Sequence, residues 1–381
     1  MATGDVVRDL RLARGWSQDR LAIAFNTASG NSNAPITREN VSRWENGKRR
    51  LTPRSRELMA KALGVPVEAL EEPPLDPLRI AHEWLVSESP QVRESRAGRR
   101  VGAAFADQLE ARVIELRLLD DHLAGKDLAP VVTKELREST ELVKNAAYAE
   151  PIGQRLLTSV GELAQLAGWV ASDAGQHAKA QTYYLSGVEA ATQAGDKGLA
   201  GNLLSSLSYQ IANTADPADA LLLARSAAMG ARDTPPAVRA LLLERVAWAA
   251  ARSRDAEAAA RILDQVDDVF ESRSKDDEEP EWVYWLTRDE VDTMRARCAV
   301  ELGNPAKAEE LLVPVLSRYP DTSNRENALY WSWLSEAYAR SGDLEQAHAT
   351  LDRVRDFAET VNSQRVDDRI TAVETLLALP S

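Results

Sequence analysis

One cysteine, Cys298, stands in a chain of 381 residues. A disulfide framework is therefore excluded, and a reducing compartment suits the composition. Histidine is almost as scarce: His82, His122, His177 and His348 are dispersed and give no metal-ligand spacing. No apolar run approaches the ~20 residues that a membrane helix needs, and no signal peptide is read at the start. A cytoplasmic protein without a membrane partner is the expectation. No Ser-His-Asp arrangement, phosphate loop or metal cluster can be assembled, so no catalytic residue, metal or cofactor is expected. Strand-forming runs are lacking too. What remains is rich in Ala, Leu and Glu, and points to an all-α protein long enough for two or three domains.

The net charge of −13 is unevenly spread. Residues 1–70 hold 12 Lys/Arg against 7 Asp/Glu, a balance of +5, and the rest holds 34 against 52, or −18. A basic head on an acidic body confines attraction for nucleic acid to the head.

Within that head, residues 37–50 read as one short helix with a start and a stop. Thr37 is placed to cap it with its hydroxyl, and Ile36 and Val41 occupy the two positions of a hydrophobic staple. Gly47 is expected to end it. Val41 and Trp44 form the inward edge; Arg38, Glu39, Ser42 and Arg43 point away, and Lys48, Arg49 and Arg50 follow. Residues 5–14 and 18–25 predict two earlier helices, the second opened by Trp16-Ser17 as staple and cap. A polar loop is predicted over 26–35 and a fourth helix from Pro53 to Leu63.

These residues resemble the Cro/repressor-type helix-turn-helix, or xenobiotic-response-element, family of transcription regulators. The likeness is carried by Leu10-Arg11-Leu12-Ala13-Arg14-Gly15-Trp16-Ser17-Gln18, Leu21-Ala22, Val41-Ser42-Arg43-Trp44-Glu45-Asn46-Gly47 and Ala62-Leu63-Gly64-Val65. It implies double-stranded DNA as a partner. Arg38, Glu39, Ser42 and Arg43 would contact bases; Gln18, Asn46, Lys48, Arg49 and Arg50 would contact phosphates. It also implies a buried pair between Arg11 and Glu45. The loop over 26–35 departs from the family's tight turn by roughly two helical turns. It is either tolerated surface or a reach toward the DNA backbone.

Three prolines within residues 71–77 predict an extended linker. A helical connecting region over 78–154 follows, with helices over 101–123 and 132–147 and a break over 124–130. Arg99-Arg100 is either solvated surface or a second phosphate-contacting patch. From 155 to 381 small residues recur: Ala180, Ala220, Ala259, Ala308 and Ala347 stand 40, 39, 49 and 39 apart. Turn residues precede most of them, and a charged loop over 272–280 accounts for the long interval. Helix, turn, helix with a small residue at the crossing is the pattern of an α-solenoid. These units resemble tetratricopeptide repeats, most closely through Trp331, Leu334, Tyr338, Gly342, Ala347 and Leu351, although the period exceeds the usual 34 residues.

Aligned in this register, Trp169, Tyr209 and Trp248 share one inner-face position. Asp173, Asn213, Arg252, Glu301 and Arg340 share the next, one turn along. An aromatic row beside a polar row suits an extended peptide; equally, the aromatics can pack against neighbouring helices. The order of domains resembles the peptide-pheromone-responsive regulators of Gram-positive bacteria, and the wording of residues 166–175 resembles their actinobacterial members. That resemblance implies a homodimer whose repeats sense a peptide or protein effector. The alternative is an adaptor whose repeats dock a partner protein while the head only tethers it.

Overall fold

The computed structural model describes residues 3–30, 35–46, 48–49, 51–70, 76–86, 99–120, 125–320, 323–359, 361 and 363–378. Among them are 18 α-helices and a single two-residue strand pairing. The fold is all-α: a helix-turn-helix unit followed by tetratricopeptide-like helical repeats. The chain divides into two compact units, Met1–Leu75 and Asp76–Ser381.

The first unit holds α1 (Thr3–Ala13), α2 (Gln18–Ser29), α3 (Arg38–Glu45), α4 (Pro53–Leu63) and a single 3-10 turn, Val67–Leu70. Val7, Leu21, Phe25, Val41, Trp44, Met59 and Leu63 meet in its core, with Ile36 and Trp16 packed at the edge. Ser17 caps α2 by accepting the Arg20 N–H at 3.1 Å. At α3 the cap works from the other end. Thr37 holds the N-cap position, but its hydroxyl donates to Asn40 Oδ1, which also accepts the Thr37 N–H at 2.8 Å. Asn46 caps the far end, and Gly47 lies outside the described residues.

Helix α2 runs four residues further than the predicted 18–25, so the loop predicted over 26–35 begins only at Gly30. The polar residues there satisfy themselves within the helix: Thr27 donates to the Ile23 carbonyl and Ser29 to that of Asn26. Gly30, at φ 63°, then supplies the left-handed stop. Asn26 fastens the far side of the insertion, accepting the Ile36 N–H and donating to the Ile36 carbonyl, both at 2.9 Å. Residues 31–34 lie outside the described part.

The second unit opens with α5 (Pro77–Val86), started by Asp76, which accepts the Leu78 N–H at 3.0 Å. Pro77 is thus the first residue of a helix rather than the last of a linker, where its missing donor does no harm. Residues 71–75 lie outside the described part. α6 (Ala103–Asp120) and α7 (Gly125–Asn145) follow. The predicted break over 124–130 is therefore corrected, because α7 contains Pro130. Leu128 and Val132, one turn apart and both buried, carry the apolar stripe across the proline, which removes one bond from the helical ladder. Arg99–Arg100 (β1) pairs in parallel with Ala146–Ala147 (β2), where a helix end was predicted.

Five helical hairpins then stack: α8 (Glu150–Asp173) with α9 (His177–Ala194), α10 (Lys197–Thr214) with α11 (Pro217–Gly230), α12 (Pro236–Arg252) with α13 (Ala256–Glu271), α14 (Arg288–Glu301) with α15 (Pro305–Arg318), and α16 (Asn324–Ser341) with α17 (Leu344–Ala358). The first helix of the array thus begins at Glu150, five residues before the position read from the repeat pattern. Ala180, Ala220, Ala259, Ala308 and Ala347 each lie on a hairpin's second helix and are fully buried, as helix crossings require. Gly168 is needed for the same reason: a Cβ there would fall 2.4 Å from the Tyr184 ring. The insertion over 272–280 is more than a charged loop. Arg273 forks onto Glu279 at 2.7 and 2.6 Å, and the chain beyond it plants Trp282, Val283 and Leu286 in the core.

A last helix, α18 (Gln364–Leu377), follows the fifth hairpin. Ser363, just before it, donates to Asp173 Oδ1 at the end of α8, 190 residues earlier, at 2.8 Å. The repeats therefore curl far enough for the last helix to reach the first hairpin.

Candidate nucleic-acid interface and the inner face of the repeats

In the first unit, Arg11 reaches across from α1 to α3. Its Nε donates to Glu45 Oε1 at 2.6 Å and its Nη2 to Oε2 at 3.0 Å, with both residues buried. A third nitrogen, Nη1, donates to the Trp16 carbonyl at 2.7 Å. The bond to Glu45 raises the Arg11 guanidinium further above its ordinary range, although burial opposes it. Gln18 Nε2 completes the cluster, donating to Glu45 Oε2 at 2.7 Å. Its amide nitrogen thus faces the protein interior, while the sequence reading puts this residue on a phosphate.

This anchor, together with Trp44 against Phe25 at 5.4 Å between ring centres, fixes the inward side of α3. The opposite side carries Arg38, Glu39 and Arg43, all exposed, with Ser42 half-buried between them. Arg43 is paired with Glu39 at 2.6 Å. Such an exposed pair is worth only ~0.3–0.5 kcal/mol, so it can open toward another partner at little cost. Asn46 donates to the Ser42 carbonyl and to Ser42 Oγ, which ties both to the helix end. Lys48 and Arg49 are exposed beside it; Arg50 lies outside the described residues.

The inner face of the repeats brings its aromatics together. Trp169 stacks on Tyr209 at 6.1 Å, Tyr209 meets Trp248 at 6.4 Å, and Trp248 meets Trp333 edge-on at 5.7 Å. At the fourth repeat the equivalent position is Arg297. Its guanidinium lies 4.5 Å over Trp248 and 5.1 Å over Trp333, and donates to the Tyr209 hydroxyl at 2.7 Å. Trp248 is only 1% exposed. It packs behind the face rather than lining it, which corrects its expected place on a ligand surface. Trp169 and Tyr209 remain half-buried.

The expected polar row is largely cross-linked. Arg252 donates to Glu301 Oε1 at 2.8 Å and to the Ala212 carbonyl at 3.0 Å, joining three successive repeats. Asp173, 3% exposed, is held by Ser363 and lies 3.4 Å from Arg365 Nε, so the chain's own last helix covers it. Arg340 donates to Glu336, its neighbour one turn back. Asn213 stays exposed, donating to the Tyr209 carbonyl.

The spacing of the repeats did not point to α18. Arg365 sits 4.9 Å over Trp169, and Arg369 lies 3.6 Å over Trp333 while donating to Glu336 at 2.6 Å. The signal available in the sequence was two arginines four apart on a helix whose Val366 and Val373 are buried. Burial pushes the Tyr209 phenol up, but Arg297, Arg365 and Arg245 act against it and bring it down to about 8.

Two family models match the chain. A helix-turn-helix domain covers residues 3–72, and a tetratricopeptide repeat covers residues 299–363. A comparison with curated proteins finds no match. The chain therefore carries a domain of a kind that binds DNA and a repeat of a kind that binds proteins. Matched residues 299–363 fall on the fourth and fifth hairpins, the part of the array where the sequence pattern is clearest. Among the described residues, no helix is long and apolar enough to cross a membrane, and no cluster of His, Cys, Asp and Glu could hold a metal ion.

Proposed function

We propose that this chain is a sequence-specific DNA-binding transcriptional regulator of the xenobiotic-response-element type, acting as a homodimer whose repeats sense a peptide or protein effector. The observation that carries the reading is the two-sidedness of α3. Its inner side is locked by Arg11, Glu45 and Trp44, while Arg38, Glu39 and Arg43 stand exposed on the outer side beside Lys48 and Arg49. An arginine can fork onto guanine and a glutamate can accept from the amine of cytosine. Residues 1–70 would read DNA, 71–75 link, 76–149 connect, and the hairpins from Glu150 onward receive the effector.

A head of this size makes few contacts, so useful affinity calls for two half-sites. A symmetric dimer would place them one helical turn apart, ~34 Å, or a multiple of that. Footprinting genomic DNA with the purified chain tests the reading, and sedimentation at micromolar concentration tests the dimer. A protected, near-palindromic sequence bound by a dimer supports it. Protection that follows no sequence, or a monomer, goes against it. The tetratricopeptide match favours a second reading, in which the repeats dock a partner protein and the head only tethers the complex; a partner recovered in stoichiometric amount would favour that adaptor.

A further inference from the structure

Among the described residues of the second unit, most buried or half-buried arginines meet a carboxylate. Arg325 meets Asp120, Arg117 meets Glu162 and Arg369 meets Glu336. Arg245 and Arg297 do not. Arg245 is only 8% exposed, and among the described residues it makes no hydrogen bond and no ion pair. It is held by rings alone, 4.8 Å over Tyr209 and 5.9 Å over Trp285. Arg297 has one hydrogen bond, to the Tyr209 hydroxyl, and its Nε is sealed from solvent without a partner.

Among the described residues, no nearby carboxylate accepts a hydrogen bond from either guanidinium. Glu336 is held by Arg369 and Arg340, and Glu301 by Arg252. Glu290 accepts from the hydroxyls of Tyr319 and Tyr330. Glu244 is buried, one of its oxygens has no partner, and burial pushes it up to about 8 despite Arg245, which makes it a weak counter-charge. Stacking on aromatic faces recovers part of what a guanidinium loses on leaving water, but leaves its N–H donors unmet. An arginine does not shed its charge to escape that cost. Two such groups against one tyrosine, 4.8 and 5.3 Å from its ring centre, define a positive locus on the inner face, between the second, third and fourth hairpins.

We infer that Arg245 and Arg297 form an anion site at Tyr209, which takes a carboxylate or phosphate group of a ligand lying along the inner face. The inference rests on the reading of that face as the effector site, and names the chemistry the effector must present. Guanidinium groups suit both anions, because their planar fork matches two oxygens of either. The rings of Trp169, Tyr209 and Trp285 would flank the rest of the ligand.

The test uses the full chain at constant ionic strength, titrated with citrate in one arm and inorganic pyrophosphate in the other. Intrinsic fluorescence reports binding, and phenolate absorbance against pH reports the tyrosine, with Tyr209→Phe to identify its signal. Saturable binding that also raises the tyrosine's titration point is expected, because the anion cancels part of the charge that lowers it. Arg245→Gln and Arg297→Gln should each weaken binding about tenfold or more, and the exposed Arg232→Gln should not. A response to citrate alone assigns a carboxylate, one to pyrophosphate alone a phosphate, and one to both an oxyanion site of either kind. No saturable response in either arm, or one unchanged in both arginine variants, overturns the inference. DNA affinity measured in the same samples separates the two readings. An anion that binds without altering DNA affinity keeps the site and removes its regulatory part. DNA binding absent from the start counts against the head, not the site.

Discussion

Arg325, at the start of α16, meets Asp120, at the end of α6, 205 residues earlier in the chain, at 3.2 and 3.3 Å. Both are buried, and the contact joins the connecting helices to the fifth hairpin. With Ser363 on Asp173, it means that the curl of the repeats is fastened at two places. The inner face is correspondingly shaped by long-range polar contacts as well as by the hairpin stacking.

Removing one partner of that pair should be costly. Asp120→Ala removes one of the two carboxylates that meet the buried Arg325 guanidinium, Glu326 being the other at 3.0 Å, and is expected to lower stability by ~1–3 kcal/mol. Replacing both, as Asp120→Leu with Arg325→Met, should recover most of the loss. Urea unfolding followed by tryptophan fluorescence checks this. A single variant as stable as the parent would show that the closure contributes nothing.

Glu244 gives a pH dependence with a definite sign. Its folded-state titration, pushed up to about 8 by burial, lies above that of an exposed glutamate in the unfolded chain, about 4.3. The folded state therefore holds the proton more tightly, and the contribution to stability is complete below about pH 4.3 and lost as pH rises toward 8. Glu244→Gln removes the titration. The variant should match the parent near pH 4.5 and exceed it by roughly 3–5 kcal/mol near pH 8. Parallel stability curves for the two proteins across that range would contradict the assignment.

Most of the architecture was legible because it depends on local spacing. The recurrence of Ala180, Ala220, Ala259, Ala308 and Ala347 reports helix crossings directly, since only a small side chain fits there. Pro130 misled because proline was read as a breaker, while Leu128 and Val132 show the apolar stripe continuing past it. The contacts of α18 were out of reach for a different reason. Whether Arg365 finds Trp169 depends on curvature accumulated over five hairpins, and no single repeat encodes that sum. Trp248 was assigned the right register and the wrong exposure, because Arg297 and Trp333 from later repeats close over it.

The close fit at Gly168 is open to a direct check. Gly168→Ala places a methyl group against the Tyr184 ring, which is itself fully buried and has little room to give. A loss of ~1–3 kcal/mol is expected in the same urea experiment. No loss would mean that the two helices can separate there.

The two kinds of DNA contact should separate by their salt dependence. Lys48→Ala or Arg49→Ala should weaken binding to all sequences about equally, lowering the slope of log affinity against log salt by roughly 1 each. Arg43→Ala should instead cost ~1–3 kcal/mol at the specific site and relax preference at one base pair. Affinities measured over a salt series, on specific and unrelated DNA, distinguish these outcomes. An unchanged slope would make Lys48 and Arg49 ordinary solvated surface.

Selection of bound fragments from genomic DNA, run in parallel with the parent chain and with Arg38→Ala, Glu39→Ala and Arg43→Ala combined, tests the central claim most directly. The parent should enrich a near-palindromic pair of half-sites, and the triple variant should lose that enrichment while keeping weak, salt-sensitive binding to any DNA. The same sequences enriched by both proteins, or none enriched by the parent, would contradict recognition of DNA by α3.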